Sequence, residues 1–236
     1  MNPQWTALAA NAGRTLDAAQ HERLHRYLDL LLAANETMNL TRITDRAAAE
    51  LHHISDSLTL LPFLPAGELR LADVGSGGGV PGIPLAIARP DAYVVLIEST
   101  KKKAAFLRKA IAELGLTNVS VTDQRAEEAA RTGKRASFDI VVARAVATLD
   151  FLAEYCLPLV KIGGKMLAMK GPKVAEELPA AREAIRILGG GEPVIHPVEL
   201  DGTDRHVIVE IPKRTKTSDK FPRPPSEQKG RSLRAS

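Results

Sequence analysis

The chain of 236 residues has a single cysteine, Cys156, and no long apolar run. One cysteine excludes an intramolecular disulfide and a zinc site built from several cysteines. No stretch approaches the ~20 apolar residues of a membrane-spanning helix. The first residues lack a basic start followed by an apolar core, so we expect no secretory signal. These absences favour a soluble cytoplasmic protein that uses neither a metal nor a membrane.

Positive charge is concentrated at the C-terminal end. The formal net charge is +4, but residues 212–236 contain eight Lys and Arg against two Asp and Glu, so residues 1–211 carry −2. The same 25-residue segment has four prolines and little apolar content. It predicts either a flexible or extended arm that contacts phosphates, or a solubilising terminus without a partner.

The hydrophobic pattern divides the chain at residues 65 and 211. Within 1–65, Leu24, Leu28 and Leu31 recur at helical spacing and predict an N-terminal helical extension. From residue 66 to 211, apolar strand patterns alternate with helical ones, which is typical of a parallel α/β sheet. The step Asp201-Gly202 suits a hairpin turn, so we expect the last strand to be antiparallel. The predicted strands are 69–74, 93–97, 118–122, 138–142, 165–169, 193–199 and 205–211.

A strand, a glycine turn and a helix start follow one another at residues 69–84, LRLADVGSGGGVPGIP. This layout is typical of a nucleotide-cofactor site in a doubly wound sheet. Its glycines satisfy two patterns. Gly77, Gly79 and Gly82 form GxGxxG, which favours a dinucleotide, whereas Gly75, Gly77 and Gly79 form GxGxG, which favours S-adenosylmethionine.

Three neighbours of the glycine turn favour S-adenosylmethionine. Asp73 lies just before the turn and completes D-x-G-x-G-x-G. Pro81 and Pro84 constrain the segment that would have to open the helix beneath a pyrophosphate. Pro84 also removes one of the N–H donors that a pyrophosphate site needs.

Polar side chains follow the next three predicted strands. Glu98 ends the second strand, where its carboxylate can accept hydrogen bonds from both ribose hydroxyls; a surface glutamate at a helix start is the alternative. After the third strand, the Ala126 N–H and the Glu127 carboxylate could contact an adenine edge, or simply open a solvated helix. Arg144 follows the fourth strand at the ligand-binding edge of the sheet, with a surface ion pair as its alternative.

Five segments together resemble one bacterial family, ribosomal small-subunit methyltransferase G, also called glucose-inhibited division protein B. They are HHISDS (52–57), LADVGSGGGVPGIPLAI (71–87), ARA (143–145), KG (170–171) and RHVIVEI (205–211). The resemblance covers residues 20–236. It implies a class I methyltransferase sheet with an N-terminal helical extension. It also implies methyl transfer from S-adenosylmethionine to N7 of one guanosine in 16S rRNA.

The resemblance also implies roles for individual residues. Gly75 and Val80 would surround the methionine part of the cofactor, and Glu98 would bind its ribose. Ala126 and Glu127 would lie at the adenine, and Arg144 at the rim of the pocket. The substrate would be free 16S rRNA, the small ribosomal subunit or its assembly precursor.

The chemistry implied for guanine N7 needs no proton transfer. That nitrogen carries a lone pair and no proton, so it can displace the sulfonium directly, and alignment of the reactants would supply the rate. The chain accordingly shows no obvious catalytic dyad or metal set, and we name no catalytic residue. We interpret the adjacent His52 and His53 as packing or RNA contacts.

Cations and turn residues near the strand ends are the candidates for RNA binding, with solvated surface charge as the alternative for each. They are Lys101, Lys102, Lys103, Arg108, Lys170, Arg205, His206 and Arg223. Three other functions fit the residues less well. They are an NAD(P)-dependent oxidoreductase, an S-adenosylmethionine-dependent methyltransferase of small metabolites, and a non-catalytic interaction protein.

Overall fold

A computed structural model describes residues 1–144, 146–203, 206–228 and 232–233. Its centre is a seven-stranded sheet with the strand order β3-β2-β1-β4-β5-β7-β6. Strands β1 to β5 are parallel, and β7 runs antiparallel between β5 and β6. The predicted α/β fold with an antiparallel last strand is therefore confirmed. The strands are β1 Leu69–Val74, β2 Ala92–Ile97, β3 Val119–Thr122, β4 Phe138–Arg144, β5 Val160–Lys170, β6 Val194–Val198 and β7 His206–Pro212.

Helices cover both faces of the sheet. A π-helical turn, Glu50–Ser55, joins α3 to α4, and 3-10 turns lie at Leu61–Phe63 and Leu157–Leu159. The α-helices are α1 Pro3–Asn11, α2 Ala18–Met38, α3 Arg46–Ala49, α4 Asp56–Leu58, α5 Gly82–Ala88, α6 Lys101–Glu113, α7 Ala126–Arg131, α8 Leu149–Cys156, α9 Val174–Ile187 and α10 Pro225–Gln228. The N-terminal helices pack with α5 and α6 on one face. Helices α7, α8 and α9 pack on the other.

Alternation along each central strand builds two cores. In β1, Leu71 packs on the face of the N-terminal helices and Ala72 on the opposite face. In β2, Val94 and Val95 divide in the same way. Because both faces are covered, these strands are apolar nearly throughout, as expected for a buried parallel sheet.

Helix α2 begins and packs as its sequence predicts. The Asp17 carboxylate accepts the Gln20 N–H at 2.7 Å, and the Gln20 side chain accepts the Asp17 N–H at 2.9 Å, forming a capping box. The predicted stripe of Leu24, Leu28 and Leu31 is buried on the α5 and α6 side. The long N-terminal helix is therefore part of the main core.

The strand predicted at 165–169 begins earlier in the structure, at Val160, so Gly163 and Gly164 do not form a turn that leads into it. The pairing of β5 with β4 jumps from Val160 to Lys165, so the glycines lie in an irregular stretch inside the strand. The N–H of Gly163 donates to the Lys213 carbonyl at 2.9 Å, and the Lys213 N–H donates to Gly164 at 2.8 Å. This stretch therefore pairs with the chain that leaves β7.

Of the expectations for residues 212–236, flexibility is wrong for residues 212–228, which pack against the body; contacts of this segment with phosphates stay a prediction. The Arg135 guanidinium donates to the carbonyls of Thr217, Ser218 and Phe221, each at 2.8 Å. Arg131 donates to the Pro222 carbonyl at 2.6 Å. A proline-rich segment builds no backbone ladder of its own, so its carbonyls need other donors, and these arginines supply them. The division at residues 65 and 211 stays a prediction.

Candidate functional site

The sheet has a topological switch point between β1 and β4. The chain leaves β1 toward β2 on one side and returns to β4 on the other, so the two carboxyl ends border a crevice where ligands bind in open α/β sheets. Gly75 directly follows β1, and Arg144 is the last residue of β4. Glu98 directly follows β2 on the same edge. The structure therefore brings the predicted glycine, acid and arginine to one edge.

The glycine turn depends on backbone conformations that favour glycine. Gly75, Gly77 and Gly79 have φ values of +73°, +57° and +100°. A Cβ atom on Gly75 would lie 2.6 Å from Val146 Cγ2, and one on Gly79 would lie 2.6 Å from Ile83 Cδ1. A side chain at either position would therefore strain the backbone and clash with a packed neighbour.

The start of α5 offers no N–H group to a pyrophosphate. The Gly82 N–H donates to Asp73 Oδ2 at 3.0 Å, and the Ile83 N–H donates to the Gly79 carbonyl at 2.7 Å. Pro84 has no N–H. Burial raises the pKa of Asp73 to about 7, although the Gly82 hydrogen bond acts in the opposite direction. This arrangement disfavours the dinucleotide interpretation of the glycine pattern.

Glu98 connects the glycine turn to the start of α6. Its Oε2 accepts the Gly77 N–H at 2.9 Å, and its Oε1 accepts the Thr100 N–H at 2.7 Å. The residue is 6% exposed. A carboxylate offers about four acceptor sites, so two remain for a ligand. The role of Glu98 as a partner of ribose hydroxyls stays a prediction.

Two cavities lie on either side of Glu98. The smaller cavity, of about 170 Å³, is lined by Leu31, Leu40, Thr41, His53, Gly75, Ser76, Gly77, Gly78, Val80 and Arg144. The larger cavity, of about 640 Å³, is lined by Ser99, Thr100, Asp123, Arg125, Glu127, Glu128, Arg131 and Pro224. Glu98 lines neither cavity, but its carboxylate accepts the N–H of Gly77 from the first lining and of Thr100 from the second, and so connects the two.

Helix α2 supports the glycine turn, and the sequence did not reveal this contact. The Tyr27 hydroxyl donates to the Gly78 carbonyl at 2.8 Å. A Cβ on Gly78 would lie 2.6 Å from Leu31 Cδ1, so the helix sits directly against the turn. Burial raises the pKa of Tyr27, which keeps its hydroxyl protonated and able to donate. The sequence signal that could have indicated this contact is the presence of a tyrosine within the apolar stripe of α2.

Arg144 is held by the segment between α3 and α4. Its Nη1 donates to the His52 carbonyl at 2.6 Å and to Asp56 Oδ2 at 3.1 Å. Its Nη2 lies 3.4 Å from His53 Nδ1. Asp56 Oδ1 in turn lies 2.7 Å from His206 Nε2 on β7. Asp56 therefore connects the Arg144 guanidinium at the end of β4 to His206 at the start of β7.

His53 is a neutral wall residue of the smaller cavity. Burial, reinforced by the Arg144 charge, lowers the pKa of His53 to about 4. Its Nε2 lies 3.0 Å from Thr41 Oγ1. A tautomer with the proton on Nε2 donates to Thr41 and accepts from Arg144, so the network assigns that tautomer.

The remaining cofactor candidates separate into two groups. Val80 lines the smaller cavity and Glu127 the larger one. Gly79 and Ala126 line neither; Gly79 lies against Ile83 and Leu107, and Ala126 is the buried first residue of α7. The assignment of all these residues to the cofactor stays a prediction.

Within the described residues, the RNA-binding candidates divide into cations without an ion pair and cations that are paired within the chain. Lys101 and Lys102 are exposed and Lys103 half-buried at the start of α6, and none has an ion pair within the described part of the chain. Four other candidates form ion pairs: Arg108 with Asp123 at 3.3 Å, Lys170 with Glu177 at 2.8 Å, His206 with Asp56, and Arg223 with Glu154 at 2.7 Å. Arg205 lies outside the described residues. Among the RNA-binding candidates that the structure describes, Lys101, Lys102 and Lys103 are therefore the ones without an ion-pair partner.

The described ranges contain no helix long and apolar enough to span a membrane. Those ranges also contain no group of three or more His, Cys, Asp or Glu side chains arranged to hold a metal ion.

The strand order and the glycine site define a class I methyltransferase fold. A mutant 16S rRNA (adenine(1408)-N(1))-methyltransferase from Catenulisporales acidiphilia superposes with a TM-score of 0.53 and 16% identity, covering 65% of this chain and 88% of that one. A predicted O-methyltransferase from Agrobacterium tumefaciens gives 0.51 and 22%, covering 63% and 76%. At these identities the similarity concerns the fold.

Sequence comparison identifies the family. The family model for rRNA small subunit methyltransferase G matches residues 20–208. The ribosomal RNA small subunit methyltransferase G of Pelotomaculum thermopropionicum is 43% identical over 95% of both chains. That of Sorangium cellulosum is 52% identical over 73% of both. The chain belongs to the rRNA small subunit methyltransferase G family, which confirms the resemblance seen in its motifs.

Proposed function

We propose that this protein is a cytoplasmic enzyme that transfers the methyl group of S-adenosylmethionine to N7 of a guanosine in 16S rRNA. Its family supports a ribosomal RNA substrate. The observation that carries the cofactor assignment is the Glu98 carboxylate, held between two cavities with acceptor sites to spare. S-adenosylmethionine, when bound, supplies an electrophilic methyl group on a sulfonium.

The two cavities fit different parts of this cofactor. The smaller one is below the range of about 300–1,000 Å³ that binds a whole drug-sized ligand, so it would hold the methionine part. Arg144 supports this, because its Nε–H and one Nη2–H have no acceptor among the described residues and could bind the methionine carboxylate. The larger cavity, with Thr100 and Glu127, would hold the adenosine.

The surrounding residues fit a reaction without proton transfer. Guanine N7 has no proton to lose, so the protein must align the base and keep water away, which is worth several kcal/mol in rate. His53 already uses both ring nitrogens with Thr41 and Arg144. Asp73 lies behind the glycine turn and is 1% exposed. Neither side chain is needed as a base.

We expect Glu98→Gln to weaken S-adenosylmethionine binding at least about tenfold, because an amide offers only one oxygen for hydrogen bonds. Isothermal titration calorimetry measures this loss, and Glu113→Gln, at the exposed far end of α6, is the matched control. Unchanged affinity in Glu98→Gln would exclude the ribose role. Titration with NAD(P)H tests the oxidoreductase alternative in the same assay.

The site of methylation is tested by mapping N7-methylguanosine in 16S rRNA from cells with and without the gene. We expect one modified guanosine to disappear with the gene and to return with wild-type protein but not with Glu98→Gln. Full restoration by Glu98→Gln would contradict the ribose role of Glu98. Loss of no rRNA methyl group would favour a small-metabolite methyltransferase.

The RNA-binding surface is proposed to include the lysines at the start of α6. We expect Lys101→Ala with Lys102→Ala to reduce the slope of log affinity against log salt by about 1 to 2, because each phosphate contact contributes roughly 0.7 to 0.9. Filter binding of 16S rRNA or small subunits measures it. Arg182→Ala with Arg186→Ala, on α9, removes the same charge and should leave the slope unchanged. Equal slopes in both double variants would contradict this surface.

A further inference from the structure

Asp56 stands out because it is a bridging carboxylate that touches neither cavity. It is not among the residues that line the smaller cavity, yet both of its oxygens are engaged beside that cavity's wall. Oδ2 accepts from Arg144 at 3.1 Å, and Oδ1 lies 2.7 Å from His206 Nε2. Its side chain is 13% exposed. A charge so placed acts on the site through its neighbours.

We propose that Asp56 is a positioning residue that holds Arg144 in register with the glycine turn for the methyl donor. The inference rests on the proposed function, in which Arg144 binds the methionine carboxylate. An arginine side chain has several rotatable bonds, so fixing it in one rotamer costs conformational entropy. Asp56 and the His52 carbonyl both accept hydrogen bonds from Nη1 of Arg144. The entropy of fixing the arginine is therefore lost on folding and not on ligand binding, and its remaining N–H groups stay directed toward the ligand.

The position of Asp56 is itself anchored from two elements. It opens α4 on the N-terminal side, and its second oxygen pairs with the first residue of β7. Arg144 ends β4, so one carboxylate joins the N-terminal region, β7 and the switch point of the sheet. The methyl-donor cavity is therefore complete only when the segment around Asp56 is docked.

Asp56→Asn tests the proposal because it keeps the shape of the side chain and removes its charge. We expect the Kd for S-adenosylmethionine to rise about tenfold. In an Arg144→Gln background, which already lacks the guanidinium, the same change should alter the Kd less than about twofold. A purely structural role would lower the melting temperature without this dependence on Arg144.

Asp139→Asn is the matched control at the opposite edge of the sheet. Asp139 is also a bridging carboxylate, accepting the Arg70 N–H at 2.7 Å and pairing with Lys161 at 3.1 Å. We expect this variant to lose stability while its Kd for S-adenosylmethionine stays within about twofold of wild type. Calorimetry and thermal unfolding without ligand are measured on all variants.

The outcomes distinguish failure of the positioning role of Asp56 from failure of the proposed function. If wild type binds S-adenosylmethionine and Asp56→Asn binds it equally well, or loses the same affinity with and without Arg144, the positioning role is overturned and the proposed function stands. If wild type does not bind, both are overturned. Should Asp56→Asn not fold, Asp56→Glu keeps the charge but displaces it by one methylene; we expect a Kd at least about threefold weaker, and unchanged affinity would overturn the role.

Discussion

The two ends of the chain pack at the same edge of the sheet through different kinds of interaction. The N-terminal region, residues 3–63, shares its buried leucines with the main core and places Tyr27 and His53 at the smaller cavity. The C-terminal segment, residues 212–228, is fastened by arginines to carbonyl and carboxylate oxygens and places Pro224 at the larger cavity. Apolar docking depends on area removed from water, whereas charged docking depends on the geometry of single groups.

The largest expected effect concerns the apolar docking of the N-terminal region. Leu28 is fully buried on the side of α2 that packs against α5 and α6. Leu28→Ala should therefore lower the free energy of unfolding by about 3 kcal/mol, because apolar burial is lost and a cavity remains. Urea unfolding monitored by circular dichroism measures it. A loss below about 1 kcal/mol would show that α2 is not part of the cooperative core.

A smaller loss is expected from the charged docking of the C-terminal segment. Arg223 donates to both oxygens of Glu154, which is 1% exposed, so Arg223→Ala leaves a buried carboxylate without its guanidinium. We expect about 2 kcal/mol of destabilisation. Arg223→Lys keeps the charge but not the paired geometry and should recover only part of it. Full recovery by lysine would show that charge alone, rather than geometry, holds the segment.

The smallest expected effect is a difference in pH dependence between the two ends. The pKa of His53 is about 4 when folded and near 6.5 when unfolded, so the unfolded chain binds more protons between these values. The contribution of His53 is therefore full above pH 6.5 and is lost as the pH falls toward 4. Burial likewise lowers the pKa of Lys213 to about 8, so its contribution rises between pH 8 and 10.5.

His53→Asn should flatten the change in unfolding free energy between pH 6.5 and 4, and Lys213→Met the change between pH 8 and 10.5. Denaturant titrations at paired pH values measure each difference. The folded and unfolded pKa values set its upper limit at about 3 kcal/mol, and relaxation around the charged side chain lowers the expected value to about 1 kcal/mol. If His53→Asn shifts the alkaline limb instead, the two docking regions are not independent.

Local chemistry made the fold and part of the site predictable. Apolar alternation and the glycine turn indicated a mainly parallel sheet of seven strands, and strand-terminal Glu98 and Arg144 were correctly placed at one edge, whereas the strand order came only from the structure. The packing of the C-terminal segment was missed because Arg131 and Arg135, which fasten it, lie about 90 residues earlier in the chain. The irregular start of β5 was missed because its glycines pair with Lys213 rather than turning.

The sequence by itself determined the parallel sheet, the glycine turn and the strand-end acid, because these follow from periodicity and from backbone conformations that only certain residues adopt. Only the tertiary structure decided that Tyr27 supports the turn, that Asp56 joins Arg144 to His206, and that four of the eight predicted RNA-binding cations form ion pairs within the described chain. Those contacts connect residues far apart in the chain. Whether a charged side chain meets solvent or a partner is settled by which elements the fold brings together, which no local pattern records.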